Sequence, residues 1–138
     1  MCLIALGHIC IAQDMQLRCK ECSTARIYDK TGHVDKKEAL CFLYRFKTCK
    51  DNVEYMEYAN PLLFDILLCN SKVVVELLIK YPALSNKYLH NEIQHPLLDC
   101  DVKRIIAVVD SSNNKSEIKQ QILDDLKRIK LDEHGYPK

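Results

Sequence analysis

The sequence predicts a mostly α-helical protein, a compact array of six or seven short helices with a small non-helical or mixed N-terminal segment. Apolar residues recur at spacings of three and four through most of the chain, as on the buried face of a helix. Helix-capping residues recur at short intervals, and the 138 residues include only three glycines to interrupt helices. We expect one domain, with a helical array over residues 35–131 and a flexible tail over 132–138.

Residues 1–34 differ in character and are expected to form a cysteine-rich segment of the same domain. They hold four of the eight cysteines and two of the three glycines. Their apolar stretch at residues 2–12 has no basic residues before it and is shorter than the roughly 20 apolar residues that span a bilayer. It therefore predicts a buried strand or short helix, and neither a signal peptide nor a membrane anchor.

The first helix is predicted from Asp35 to about Thr48. Asp35 and Glu38 have the spacing of a capping box, in which each side chain accepts a hydrogen bond from a backbone amide of the other's residue. Its expected inner face consists of Leu40, Leu43 and either Phe42 or Phe46.

Three further short helices are predicted in the middle of the chain. The first covers about 51–59. Asn60 and Pro61 have the pattern of an N-cap followed by a first-turn proline, which begins a helix over 61–69. The pair Asn70 and Ser71 then separates this helix from one over about 72–81. That last helix is apolar nearly all round, which predicts a central position, although its run of three valines also allows a strand.

The C-terminal part predicts three more helices, over about 86–94, about 100–109 and 114–129. Pro82 ends the preceding helix because its ring cannot continue the hydrogen-bond ladder. Asn114 with Glu117 marks the start of the last helix. The pair Asp124 and Asp125 is expected on its solvated face.

Charge and motifs disfavour several function classes. Twenty basic and nineteen acidic residues leave a net charge of +1, which supplies no overall field for holding a nucleic acid. The chain lacks a glycine-rich phosphate loop and the GxSxG and HExxH motifs, so the sequence predicts neither an enzyme nor a small-molecule substrate. A small cysteine-dependent enzyme remains an alternative, since a cysteine and a histidine can meet in space from distant positions.

The eight cysteines are expected to be reduced, because no secretory signal is recognised and thiols stay reduced in the cytoplasm and nucleus. The predicted location is therefore cytoplasmic or nuclear, and not secreted. Cys41, Cys69 and Cys100 lie among apolar neighbours and are expected to pack as small buried hydrophobic side chains.

A zinc site is the alternative for some of these cysteines. Cys19 and Cys22 form a CxxC pair, whose two thiolates can reach one tetrahedral ion. His33 and Cys41 are the candidates for the remaining ligands, with Cys49 as a further choice. This alternative predicts a zinc-supported adaptor that contacts RNA or protein; the primary prediction includes no cofactor.

Four tyrosines in the middle helices are candidate anchors for a partner protein. Exposed tyrosine side chains bury a large area on binding while keeping a polar tip. These candidates are Tyr55, Tyr58, Tyr81 and Tyr88.

Parts of the sequence resemble two known families. The run Asp65-Ile66-Leu67, Asn70 and Val73 to Lys80 resembles the C-terminal helical domain of the small scaffold subunit of the deadenylase (NOT) complex, over residues 50–109. Residues 71–86 are similar to the second helix and turn of an ankyrin repeat, with Pro82 where that family has glycine. The resemblance to the scaffold domain implies protein docking within messenger-RNA decay machinery. The function predicted overall is a non-enzymatic adaptor or scaffold that binds a helix or peptide of another protein.

Overall fold

The computed structural model describes residues 27–28, 32–112 and 114–138. In these ranges the chain forms five α-helices, one 3-10 turn and two isolated β-bridges, without a longer strand. This confirms the mostly α prediction with fewer helices than the six or seven expected. The elements are α1 (Lys36–Thr48), α2 (Val53–Lys80), the 3-10 turn (Pro82–Leu84), α3 (Lys87–Gln94), α4 (Val102–Ser111) and α5 (Glu117–Arg128).

Helix α1 begins where the sequence predicts. The Asp35 carboxylate accepts hydrogen bonds from the amides of Lys37 and Glu38, at 2.8 and 3.3 Å, which satisfies two amides that have no partner inside the helix. The amide of Asp35 donates to the carbonyl of Ile27 at 2.8 Å, in place of the Glu38 side chain that a full capping box would use. The start of α1 is thereby tied to the segment before it.

Helix α2 replaces the predicted short helices with one helix of 28 residues. The predicted break at Asn60 and Pro61 is wrong because the Asn60 side chain is fully buried and does not cap its own helix. Its amide donates to the Glu92 carboxylate at 2.8 Å and to the His95 carbonyl at 3.1 Å. Its oxygen accepts from the amide of Leu97 at 2.9 Å. These contacts hold Asn60 in the helix, although Pro61 removes one backbone donor.

The only non-helical backbone inside α2 is at Asn70, with φ −144° and ψ 36°. The predicted boundary at this residue is therefore a kink within one helix. The strand alternative for residues 73–79 is wrong, since this stretch is helical throughout. Val74, Val75 and Leu78 are buried, in agreement with the predicted central position.

The last three helices have caps of the expected chemistry. Asn86 caps α3 at the predicted start of this helix, accepting from the amides of Tyr88 and Leu89. Asp101 caps α4. For α5 the predicted cap, Asn114, is wrong, because the Ser116 hydroxyl accepts from the amide of Lys119 at 3.1 Å.

Lys119 links α5 to the C-terminal end of α4 through hydrogen bonds. Its ammonium is nearly enclosed and donates to the carbonyls of Asp110 and Ser112, at 2.7 and 2.6 Å. Both carbonyls lie at the C-terminal end of α4, where helix carbonyls lack partners and the macrodipole favours a cation. The hydrogen bonds of this buried ammonium group therefore go to backbone oxygens.

The C-terminal tail, predicted to have no packing, forms a closed turn. The Asp132 carboxylate accepts from the amides of His134 and Tyr136, at 2.9 Å each. Leu131 and Pro137 form an antiparallel bridge. An aspartate side chain that accepts hydrogen bonds from amides two and four residues ahead stabilises a local turn. All the residues of this turn are close together in the sequence.

One hydrophobic core joins the described helices. Helix α2 packs against the other four helices, and α5 also packs against α3 and α4. The largest fully buried side chains are Phe46, Leu43, Leu63, Ile66, Leu67, Leu78, Leu89, Ile93, Ile105, Ile122, Leu126 and Val75. They come from all five described helices, which therefore share this core.

No helix in the described ranges has both the length and the apolar character required to cross a bilayer.

Candidate functional site

A groove between the start of α1 and the second half of α2 has an apolar floor and a charged rim. Its volume is about 280 Å³. Its apolar and aromatic members are buried or half-buried, whereas its charged members are exposed. We call it the lysine groove; it is lined by Lys36, Lys37, Leu40, Val73, Glu76, Leu77, Lys80 and Tyr81.

The rim of the lysine groove carries net positive charge. Three lysines and one glutamate line it, so the side-chain charges sum to +2. Glu76 lies 3.9 Å from the ammonium of Lys36 and 3.9 Å from that of Lys72. One carboxylate is therefore shared by two cations, and exposed pairs of this kind contribute little stability.

The start of α1 adds to this positive potential. Lys36 and Lys37 occupy its first turn, where the helix macrodipole already places partial positive charge. Asp35 and Glu38 offset part of this charge. Two lysines at the positive end of a helix do not stabilise that helix.

The structure separates the four predicted tyrosine anchors. Tyr81 lies in the lysine groove, where the Lys80 ammonium is 5.4 Å from its ring centroid. Tyr55 is only 3% exposed and offers no surface to a partner. Tyr58 is half-buried, with its ring centroid 6.2 Å from that of Tyr55. Burial raises the pKa of both Tyr55 and Tyr58, and the nearby Arg45 cation opposes this shift.

Tyr88, the fourth candidate, lies in a different cleft, between the end of α1, the start of α2 and α3. The ammonium groups of Lys50 and Lys87 are 5.2 and 5.1 Å from its ring centroid. Asp51 and Glu92 also line this cleft, so its two lysines and two acids cancel. Tyr81 and Tyr88 therefore belong to separate surfaces, and only that of Tyr81 has a net charge.

The described cysteines differ from the prediction that all eight are reduced and that Cys41, Cys69 and Cys100 pack as small buried side chains. Cys41 and Cys49 are each disulfide-bonded. Cys69 is a free thiol but is exposed, and Cys100 is free and half-buried. The cytoplasmic or nuclear location stays a prediction.

The disulfide at Cys41 also bears on the zinc alternative. Zinc binds cysteine as a thiolate, and a sulfur in a disulfide is not one, so Cys41 does not serve as a ligand in this state. His33 is exposed, while Cys19 and Cys22 lie outside the described residues. Within the described part of the chain, no group of three or more His, Cys, Asp or Glu side chains is arranged to hold a metal ion.

The two free thiols are expected to differ in reactivity. Burial raises the pKa of Cys100 to about 11, and the negative charges of Asp101, Asp99 and Asp65 add to the shift. Because the thiolate is the reactive form, iodoacetamide at pH 8 should alkylate Cys69 at least about tenfold faster than Cys100. The Cys100 rate should rise as the pH approaches 11. Peptide mapping by mass spectrometry measures both rates.

The control for this prediction is alkylation in urea, where burial is lost and the two thiols should react at similar rates. Equal rates for Cys69 and Cys100 in the folded protein at pH 8 would contradict the prediction.

A second group of hydrogen-bonded side chains links α3 to α5 through His90. The Ser85 hydroxyl and His90 Nε2 are 2.8 Å apart. His90 Nδ1 is hydrogen-bonded to one Asp125 oxygen, and the other oxygen accepts from the Gln94 side chain at 2.7 Å. The side chains of His90 and Asp125 are only 19% and 7% exposed.

The placement of Asp125 corrects the prediction that it lies on a solvated helix face. Its residue is 5% exposed and it points into the molecule, whereas Asp124 is exposed. The spacing contained a signal for this burial, since Asp125 follows Ile122 by three residues on the buried stripe of α5. No signal indicated its partner, because His90 lies 35 residues earlier in the chain.

Comparison with known proteins finds no family model, no curated protein and no solved structure that matches this chain. The resemblances to the deadenylase scaffold domain and to the ankyrin repeat therefore stay predictions.

Proposed function

We propose that this protein is an interaction module whose lysine groove binds an acidic amphipathic helix of a partner protein. The supporting observation is the combination of an apolar floor with a rim charge of +2. Apolar side chains of the partner would fill the floor, and its flanking carboxylates would face the lysines. Such grooves hold helices through anchors at i, i+3 and i+4.

The floor and the rim of the lysine groove are expected to contribute differently to binding, because they differ in burial. Leu40, Val73 and Leu77 are already partly desolvated, so covering them releases further water and supplies affinity. The rim lysines are exposed, and charges in such positions chiefly steer association and set specificity. An acidic helix with leucine anchors therefore matches the groove better than a basic or uniformly apolar one.

The test is the affinity for a synthetic helical peptide of about 14 residues, with leucines spaced as on one helix face and glutamates elsewhere. We expect the double variant Lys36→Glu/Lys80→Glu to weaken binding at least about tenfold, which corresponds to about 1.4 kcal/mol. Higher salt should weaken wild-type binding in the same direction. Fluorescence anisotropy with a labelled peptide measures both effects.

The matched control is Lys127→Glu, which reverses an exposed lysine on α5 outside the groove. It should leave the affinity within about twofold of wild type. Equal binding of a peptide with lysine in place of every glutamate, or equal loss in the control variant, would contradict the proposal.

A further inference from the structure

We infer that Ser85 is an activated nucleophile, able to take an acyl or phosphonyl group from an activated ester or a fluorophosphonate. The inference rests on the hydrogen-bonded chain from Ser85 through His90 to Asp125 and is independent of the lysine groove, which none of these residues lines.

The order of atoms in this chain is that of a serine nucleophile with its base. Ionised Asp125 only accepts hydrogen bonds, so His90 Nδ1 carries a proton toward it. In the neutral ring Nε2 then has a free lone pair, and this nitrogen faces the Ser85 hydroxyl at 2.8 Å. The distance lies within the range expected for proton transfer from a nucleophile to a base.

The surroundings hold the histidine in this orientation. The Gln94 side chain occupies the second oxygen of Asp125 at 2.7 Å, so the carboxylate is fixed on both sides. Asp125 is buried, whereas His90 and Ser85 are both half-buried, and Ser85 lies in the turn before α3. For the inferred reaction, a small reagent must reach the Ser85 hydroxyl at this turn. Two residues after Ser85, the amide of Lys87 opens α3, while the next two amides, of Tyr88 and Leu89, already donate to the Asn86 side chain.

The step with an activated ester is balanced. Ser85 Oγ bonds to the carbonyl carbon as its proton passes to His90 Nε2, and the carbonyl π electrons move to oxygen. Collapse of this adduct breaks the bond to the leaving group, which departs with the proton from His90. Water then attacks the acyl group, gives a proton to His90, and releases a carboxylic acid as Ser85 regains its proton. With a fluorophosphonate, the Oγ–P bond forms and the P–F bond breaks, with loss of HF.

The test is labelling of the full chain with a fluorophosphonate, with the adduct located by peptide mass spectrometry. We expect one adduct, on Ser85, which is lost in Ser85→Ala and slowed at least about 100-fold in His90→Gln. The same variants should lose p-nitrophenyl acetate hydrolysis. Ser111→Ala, which removes an exposed serine hydroxyl bonded to a backbone carbonyl, is the matched control and should label like wild type.

A histidine that only bridges α3 and α5 would give no adduct. Absence of labelling in the folded wild-type protein, or labelling that persists in Ser85→Ala, overturns the inference. Should His90→Gln fail to fold, the site of the adduct and the Ser85→Ala variant still decide the question.

Discussion

Phe46→Ala is expected to lower the free energy of unfolding by about 3 to 5 kcal/mol, because it removes a large side chain from the centre of the core. Phe46 has no exposed surface. Its ring lies edge-on to that of Phe42, with centroids 5.0 Å apart, so the substitution also removes a favourable aromatic contact. Chemical denaturation followed by circular dichroism measures the change.

The size of this effect is large compared with the total stability of an ordinary domain, about 5 to 15 kcal/mol. The matched control is Leu98→Ala, which truncates an apolar side chain that is 63% exposed. It should change the unfolding free energy by no more than about 0.5 kcal/mol. Comparable losses in Phe46→Ala and Leu98→Ala would contradict the assigned core.

Asn60→Ala is expected to cost about 2 to 3 kcal/mol of unfolding free energy, since it leaves several polar groups without their partner. The Asn60 side chain bonds the Glu92 carboxylate, the His95 carbonyl and the Leu97 amide. These three groups belong to the end of α3 and the loop after it. The same denaturation experiment measures the loss.

Hydrogen exchange provides a second measure of the Asn60 prediction. In Asn60→Ala the amide of Leu97 should exchange faster, because its acceptor is gone. Asn91→Ala is the control, since Asn91 is exposed on α3 and should leave stability nearly unchanged. A stable Asn60→Ala variant with unchanged protection at Leu97 would show that α2 is held straight at Pro61 by other contacts.

The sequence predicted the elements whose signals are local. Asp35 caps α1 by bonding amides two and three residues ahead, as its residue type and its spacing to Glu38 predicted. Helix α3 begins at the predicted position, directly after Asn86. The apolar stripes of α4 and α5 also lie inward as their periodicity indicates. Local chemistry decides these features, so a single sequence contains enough to place them.

The sequence did not predict features that depend on distant partners. Asn60 and Pro61 have the local pattern of a helix start, but Asn60 bonds residues 32 to 37 positions away and the helix continues. Asp125 was predicted on the solvated face of its helix. Its partner, His90, lies 35 residues earlier and could not be identified from the sequence. Tertiary contacts override local propensity at these positions.

The candidate site was predicted only in part. Tyr81 was recognised as a candidate anchor, but nothing in the sequence placed it beside the first turn of α1. The lysine groove exists because the α1 start meets the second half of α2, and the three lysines come from positions 36, 37 and 80. Tyr55 is buried, and its helical spacing did not determine this because burial depends on packing.

The central claim, docking at the lysine groove, is tested most directly by a two-dimensional ¹H–¹⁵N NMR titration of the wild-type protein with the acidic helical peptide. The account predicts shifts concentrated at residues 36–40 and 73–81, which line or neighbour the groove. Shifts centred instead on the Tyr88 cleft, or none at peptide concentrations that saturate the anisotropy signal, would contradict it.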